Sequence, residues 1–228
     1  MKFIVEGFKI IEEALLSDFI CEMVAVSHQF SERNPTTLNK LVKWKITPQI
    51  ISEKEIEKFC DTKSPQGIAA VFNYKISGEP NNSDEIIVAL ENINDPGNLG
   101  TIIRNCDWFG IRTIYLSDDT ADIYNPKTIR ASAGSVFYVN FQQSDFYKNI
   151  ASLKSDGYSI LCADLEGTNL YEFEKKGNMV LILANEANGP TKTILDLSDG
   201  TITIPKKGKA ESLNVASASA VLLSELTK

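Results

Sequence analysis

Residues 86–104 read IIVALENINDPGNLGTIIR and contain the segment that decides the fold. The apolar residues at its start show no polar alternation, which is typical of a parallel strand covered on both faces. The turn sequence DPGN follows at residues 95–98, and Arg104 lies on or beside the helix that comes next. Ligands of open α/β sheets collect at the carboxyl ends of the strands. The segment therefore predicts a ligand-binding loop at the edge of a parallel sheet.

The apolar runs that follow extend this pattern along the chain. They alternate with helical segments and lie at residues 113–116, 136–139, 159–162, 180–183 and 201–204. Residues 213–226 have the spacing of a final amphipathic helix. We therefore predict an α/β layered domain with a parallel sheet over residues 86–228.

The first 75 residues predict a smaller α/β domain. Its predicted elements are a helix within residues 6–19, a strand at 23–26, a short helix at 38–44, a helix that ends at Phe59 and a strand at 67–72. Ser52 and Glu55 have the spacing of a capping box for the helix that ends at Phe59. Residues 76–85 are polar apart from Ile76, contain one Gly and one Pro, and are predicted to be a linker.

The composition indicates a globular protein of the cytoplasm. Of 228 residues 43% are hydrophobic and 23% charged, and no apolar run approaches the roughly 20 residues of a membrane helix. The four cysteines are widely spaced, so we expect free thiols in a reducing compartment rather than a disulfide set. The one histidine, His28, lies in a predicted polar loop, which argues against a Ser-His-Asp triad and against a metal site.

The net charge of −7 is unusual for a protein that binds nucleic acid. Residues 1–75 hold 10 basic and 10 acidic residues, so all of the excess negative charge lies in residues 76–228. An enzyme that holds RNA locally needs a basic patch rather than a basic average. The charge therefore weakens an RNA-binding prediction without deciding it.

Two further segments occupy predicted strand ends. Residues 183–190 read LANEANGP, and residues 204–218 read IPKKGKAESLNVASA. Both segments also have a purely structural interpretation. Pro190 could occupy the first position of a helix, and Glu211-Ser212 could begin another helix. Asn98 and Arg104 are roughly 240° apart around a helix, so their spacing alone defines no joint site. The glycine patterns of Rossmann and phosphate-binding loops are absent from the sequence.

Taken together, in this order and at this spacing, the three segments resemble the three motifs of the SpoU/TrmH family of RNA ribose methyltransferases. The resemblance covers most of residues 86–228 and includes IRASAGS at residues 129–135, which is similar to the family's Ala-Ser-x-Gly segment. Residues 3–7, FIVEG, and 64–71, SPQGIAAV, resemble the family's small substrate-binding domain, which is similar to a ribosomal-protein RNA-binding fold.

The resemblance implies a trefoil knot in the carboxy-terminal domain, S-adenosylmethionine as the cofactor and no metal. It also implies a homodimer formed through the knot region, in which both subunits complete each site. The residues that it assigns to the cofactor are Leu183, Ala184, Asn185, Glu186, Gly189, Ile204, Ser212, Leu213 and Asn214.

The same resemblance assigns removal of the ribose proton to Arg104. Because arginine has a pKa above about 12, we interpret Arg104 instead as a clamp on the phosphate and the 2′-hydroxyl. Asn98 would orient Arg104 or the ribose, Glu186 would brace the site, and Ser212 with Asn214 would shape the methyl end. The candidate RNA contacts are Arg130, Lys206, Lys207 and Lys209.

This sequence departs from the family pattern at two positions of the second motif and in its amino-terminal segment. Ala184 stands where the family usually has Gly, Pro190 stands where it has a branched aliphatic residue, and a basic amino-terminal segment is missing. Ala184 and Pro190 would be the signs of a catalytically silent RNA-binding relative, which is one alternative. A methyltransferase for a base nitrogen, which some knotted relatives attack, is another. The two-domain layout favours ribosomal RNA over transfer RNA as the substrate.

Overall fold

The computed structural model describes residues 1–75, 84–185 and 188–228, which fold around two β-sheets. The predicted linker, 76–85, lies almost entirely outside the described residues. The predicted cofactor residue Glu186 also lies outside them.

The first sheet is built by residues 2–73 and has the strand order β1-β4-β2-β3. Its elements are β1 (Lys2–Glu6), α1 (Phe8–Leu16), β2 (Cys21–Ser27), α2 (His28–Arg33), α3 (Pro35–Lys43), β3 (Gln49–Ile51), α4 (Glu53–Phe59) and β4 (Ile68–Asn73). The capping box is confirmed, since Ser52 Oγ accepts from Glu55 N at 3.3 Å and Glu55 Oε2 accepts from Ser52 N at 2.9 Å. The prediction of a loop at His28 is wrong, because Ser27 caps α2 by accepting from Phe30 N.

The second sheet has six parallel strands in the order β10-β8-β9-β5-β6-β7, which confirms the predicted parallel sheet. Its elements are β5 (Ile86–Glu91), α5 (Pro96–Trp108), β6 (Thr113–Leu116), α6 (Pro126–Ser132), β7 (Asn140–Gln142), α7 (Phe146–Ser155), β8 (Ser159–Asn169), β9 (Met179–Ala184), α8 (Lys192–Leu197), β10 (Gly200–Thr203) and α9 (Val215–Leu226).

The strand β5 is buried along its whole length, as the apolar run in the sequence predicts. Ile86, Val88 and Leu90 belong to the larger apolar cluster, together with residues of α5 and α9. Ile87 and Ala89 belong to a second cluster with residues of α7 and α8. Side chains on alternate positions of a strand point to opposite faces, so helices on both sides account for the apolar residues at each of positions 86–90.

The predicted strand at residues 136–139 is wrong. Ala133 and Gly134 have φ angles of 52° and 100°, and the left-handed turn that they form leads into a 3-10 helix at Ser135–Phe137. Val136 and Phe137 are buried in this turn. Their apolar character therefore reflects burial, and β7 begins only at Asn140.

The two sheets share one hydrophobic core. Phe3 of β1 stacks on Tyr124 of the second unit with ring centroids 4.4 Å apart, and Phe19 contacts Phe137 edge-on at 5.3 Å. Polar contacts lie beside these rings, where Tyr138 Oη donates to Glu13 Oε2 at 2.8 Å. The small unit thus packs directly on the unit that contains the parallel sheet.

All four cysteines are free. Burial raises the pKa of the Cys60 thiol to about 11 and that of Cys162 to about 12, so neither is a thiolate at neutral pH. Within the described residues, every helix is too short or too polar to cross a membrane.

Gly100 lies where α5 packs closely against α6. A Cβ atom at this position would lie 2.6 Å from Ala131 Cβ and 2.9 Å from Ser132 N, and it would also overlap Thr128 O. Two of these atoms belong to the backbone of α6, so the clash cannot be relieved by a side-chain rotation.

We therefore expect Gly100→Ala to lower the free energy of unfolding by about 2 kcal/mol or more, because overpacking forces α5 away from α6. Urea denaturation followed by circular dichroism would measure this change. Thr101→Ala, at the exposed neighbouring position, is the control and should stay within about 0.5 kcal/mol. Equal stability of the two variants would contradict the close approach.

Candidate active site

The DPGN sequence after β5 forms a capped helix start. Asp95 accepts a hydrogen bond from Asn98 N at 2.8 Å, and Pro96 occupies the first position of α5. Lys127 Nζ lies 2.7 Å from Asp95 Oδ2. The hydrogen bond from Lys127 and that from Asn98 N lower the pKa of Asp95 below its usual value. The first turn of α5, with Asn98, is therefore held on two sides.

Asn98 and Asn214 are brought together although 116 residues separate them. Asn214 Nδ2 donates to Asn98 Oδ1 at 2.9 Å. Asn214 also caps α9, since its Oδ1 accepts from Ala216 N at 3.0 Å and from Ser217 N at 3.3 Å. The prediction of a helix start at residues 211–212 is therefore wrong, because the capping side chain lies at position 214. This contact joins the first motif to the third.

Asn105 provides a second contact between α5 and α9 that the sequence analysis missed. Its Nδ2 lies 2.9 Å from both Ala216 O and Ser219 Oγ. Asn98 and Asn105 are seven residues apart and so share one face of α5, roughly 20° from alignment at 100° per residue. The seven-residue spacing of two Asn residues was the available signal. Arg104 lies off this face and is exposed.

A cavity of about 530 Å³ lies at the carboxyl ends of β9 and β10, beside residues 163–165 in the middle of β8. Seven of the predicted cofactor residues line it: Leu183, Ala184, Asn185, Gly189, Ile204, Ser212 and Leu213. Val215, Ala218 and Leu222 of α9 and Ile202 of β10 contribute further apolar wall. A largely apolar cavity of this size matches the ordinary range for small-molecule sites, about 300–1,000 Å³.

The lining has the chemistry that an adenosine-containing cofactor requires. Leu183, Ile204 and Leu213 offer apolar walls for a flat base. Gly189, with φ of 62°, has open space around its Cα, so its backbone can approach a ligand closely. Asp164, which the sequence analysis missed, adds a half-buried carboxylate that can accept hydrogen bonds from ribose hydroxyls. Its position just after the apolar run at residues 159–162 was the available signal.

The loop between β9 and α8 is held against the end of β5. Asn185 N donates to Glu91 O at 3.1 Å, and Asn185 Nδ2 donates to Asn92 O at 3.0 Å. Thr191 caps α8, which begins at Lys192. The prediction of Pro190 as the first helical residue is therefore wrong, because the capping residue follows the proline.

The predicted basic residues are not gathered at one point. Arg104 forms no hydrogen bond or ion pair with any residue that the structure describes, and it does not line the cavity. Lys206 and Lys207 line the cavity mouth, and Lys209 is exposed in the same loop. Arg130 faces the small unit, where its Nη2 lies 2.8 Å from Asp61 and its Nη1 lies 3.6 Å from Glu6.

Comparison with protein-family models finds two matches. Residues 85–224 match the model of the SpoU rRNA methylase family. Residues 1–70 match the model of an MRM3-like substrate-binding domain.

Similar proteins are known by sequence and by structure. The chain is 32% identical over 225 residues to the 23S rRNA (guanosine(2553)-2′-O)-methyltransferase RlmP of Bacillus subtilis, covering 98% of this chain and 88% of the relative. It is 28% identical over 156 residues to a 23S rRNA (uridine(2479)-2′-O)-methyltransferase of Streptomyces viridochromogenes, covering 65% and 54%. An AdoMet-bound rRNA methyltransferase from Sinorhizobium meliloti superposes with a TM-score of 0.83 at 28% identity, covering 99% and 86%.

The two roles of Asn214 can be separated by substitution. We expect Asn214→Ala to lower the free energy of unfolding by about 1 kcal/mol, because α9 loses its cap. Asn214→Asp keeps the capping oxygen and loses the donor to Asn98, so it should retain most of that stability. Urea denaturation of both variants measures the difference. Equal destabilisation would mean that the contact with Asn98, and not the cap, stabilises α9.

Proposed function

Because the chain belongs to the SpoU rRNA methylase family, we propose that it methylates a ribose 2′-hydroxyl of ribosomal RNA with S-adenosylmethionine. It is an S-adenosylmethionine-dependent RNA methyltransferase. The observation that carries this proposal is the convergence of the three motifs. The second and third line one cavity, and the contact between Asn98 and Asn214 ties the first motif to them.

We propose that the cavity at the carboxyl ends of β9 and β10 holds the cofactor. When bound there, the cofactor supplies an electrophilic methyl group on a sulfonium. Leu183, Ile204 and Leu213 would enclose the adenine, and Asp164 would accept from the ribose. The side chain of Ala184 is compatible with a cavity of this size, since Ala184 is itself part of the lining. Glu186 stays a predicted contact of the same loop.

Arg104 is the candidate for holding the reacting ribose. A guanidinium keeps its proton at neutral pH, so it cannot remove the proton of the hydroxyl. It can grip a phosphate with two N–H groups and direct a third toward the 2′-oxygen, where negative charge develops. The side chain of Arg104 is exposed and forms no hydrogen bond or ion pair with the described residues, so its guanidinium is available to RNA.

RNA would be held by the small unit together with the lysine loop. Residues 1–75 would be the RNA-binding domain and residues 86–228 the catalytic domain, joined by the linker 76–85. Lys206, Lys207 and Lys209 would contact phosphates beside the cavity. The ion pairs of Arg130 with Glu6 and Asp61 occupy its guanidinium, so its predicted RNA contact requires those pairs to be exchanged for phosphate.

A homodimer that completes each site from both subunits would account for the position of Arg104. Its side chain does not line the cavity of its own protomer. A partner protomer could therefore present its Arg104 to this cavity. The trefoil knot stays a prediction, as does the cytoplasmic location, which would place the enzyme with its ribosomal RNA substrate.

The function is tested by transfer of labelled methyl from S-adenosylmethionine to unmodified ribosomal RNA, followed by nucleoside analysis. We expect a 2′-O-methylnucleoside as the product. Arg104→Ala should lower kcat by about 100-fold or more while the cofactor Kd changes little, because only stabilisation of the transition state is lost. Arg112→Ala is the matched control, an exposed arginine just beyond the end of the same helix.

The alternatives give different outcomes in this assay. Methylation of a base would identify a base-nitrogen enzyme. Cofactor binding without transfer to ribosomal or transfer RNA would support a silent relative. Collapse of cofactor binding in Arg104→Ala would assign Arg104 a structural role instead.

The dimeric site is tested by mixing two inactive variants, Arg104→Ala and the cavity variant Leu213→Asp. If Arg104 acts across the dimer, random mixing should restore about a quarter of wild-type activity, since half of the dimers are mixed and each has one intact site. If Arg104 acts within its own protomer, mixing restores none. Light scattering of the mixture would verify the dimers.

A further inference from the structure

Glu91, the last residue of β5, holds both ends of the loop formed by residues 185–191. At the start of the loop, Asn185 N donates to the main-chain oxygen of Glu91 at 3.1 Å. At the end of the loop, Thr191 N donates to Glu91 Oε2 at 2.9 Å and Thr191 Oγ1 donates to Glu91 Oε1 at 2.6 Å. The separation of the two loop ends is therefore set by one residue of the central strand.

The side chain of Glu91 is fully buried. Its third contact is Tyr147 Oη, which donates to Oε1 at 3.1 Å. Burial and the hydrogen bond to Glu91 raise the pKa of Tyr147, so its hydroxyl keeps the proton that it donates. Three donors converge on the two oxygens, as an acceptor-only carboxylate requires. Because burying a carboxylate is costly without such donors, packing alone does not account for a glutamate here.

The Glu91 side chain and the cavity lie on opposite faces of the sheet. It follows Ile87 and Ala89 at two-residue spacing, so its side chain lies on the face of the sheet that α7 and α8 cover. The cavity lies on the other face, where Leu183 and α9 pack. The loop that Glu91 holds nevertheless supplies Asn185, Gly189 and Pro190 to the cavity lining.

We propose that Glu91 is a positioning residue for cofactor binding, which keeps Asn185, Gly189 and Pro190 in the positions where they line the cavity. The proposal rests on the function proposed above. Glu91 does not contact the reacting atoms, so its loss should weaken the binding of S-adenosylmethionine and leave the chemistry of a saturated enzyme unchanged. The two hydrogen bonds that Thr191 donates to the Glu91 carboxylate, here called the clasp, carry this role.

The experiment measures the Kd of S-adenosylmethionine by calorimetry in the absence of RNA, together with kcat and the KM for the cofactor. Glu91→Ala should raise the Kd and KM about tenfold or more, because both side-chain hydrogen bonds to a charged acceptor are lost. Glu91→Gln keeps an acceptor for Thr191 N and can donate to the Thr191 hydroxyl, so its Kd should rise only about threefold. At saturating cofactor, kcat of both variants should match the wild type.

Four further variants isolate the clasp. Thr191→Ser keeps both donors and should bind as the wild type does, whereas Thr191→Val loses the hydroxyl and should raise the Kd about threefold. Tyr147→Phe removes the third donor and leaves the clasp intact, so its Kd should change less than about twofold. The double variant Glu91→Ala, Thr191→Val should bind more tightly than the product of the two single effects predicts, since the shared contact cannot be lost twice.

An unchanged cofactor Kd in folded Glu91→Ala would overturn the proposal. A fall in kcat of Glu91→Ala at constant KM for the cofactor would also overturn it. That result would indicate a general structural defect, which lowers the fraction of active enzyme without changing its affinity for the cofactor. If Glu91→Ala does not fold, equal Kd values for Thr191→Ser and Thr191→Val would overturn it. Failure of the wild type to bind the cofactor would overturn the proposed function, and this inference with it.

Discussion

The burial of β5 is the constraint on which the rest of the structure depends. Both edges of the strand are paired, with β6 on one side and β9 on the other, and helices cover both faces. Every residue of the strand is buried, and the first polar side chains come where the strand ends. Glu91 and Asn92 lie there, and both are bonded to the loop that follows β9. The site is therefore organised by the end of its most buried strand.

Helix caps hold the site together. Asp95, Thr191 and Asn214 cap α5, α8 and α9, and each also contacts a residue outside its own helix. Asp95 pairs with Lys127, Thr191 with Glu91 and Asn214 with Asn98. A cap contributes about 1 kcal/mol to a helix, which is a substantial part of a domain's stability. Stability and site geometry are therefore coupled at the same side chains.

The sequence allowed the buried elements to be located more reliably than the contacts between them. The run at residues 113–116 coincides with β6, because continuous apolar character in a short segment leaves few alternatives to a buried strand. The run at residues 136–139 led to a wrong strand prediction. The turn before it is left-handed at Ala133. Because residues with a Cβ rarely adopt this conformation by local preference, the sequence does not reveal it. Burial of an apolar residue does not specify which backbone conformation buries it.

Candidate residues of the site were found only through the resemblance of the motifs. Spacing could not reveal the contact between Asn98 and Asn214, since it joins positions far apart in the sequence. Glu91 gave no signal, because a polar residue at the end of an apolar run usually marks the return to solvent. The shared aromatic core has a separate, evolutionary consequence. Because Phe3 stacks on Tyr124, the small unit cannot be exchanged freely between homologues, and any recombinant would have to inherit both halves of that contact together.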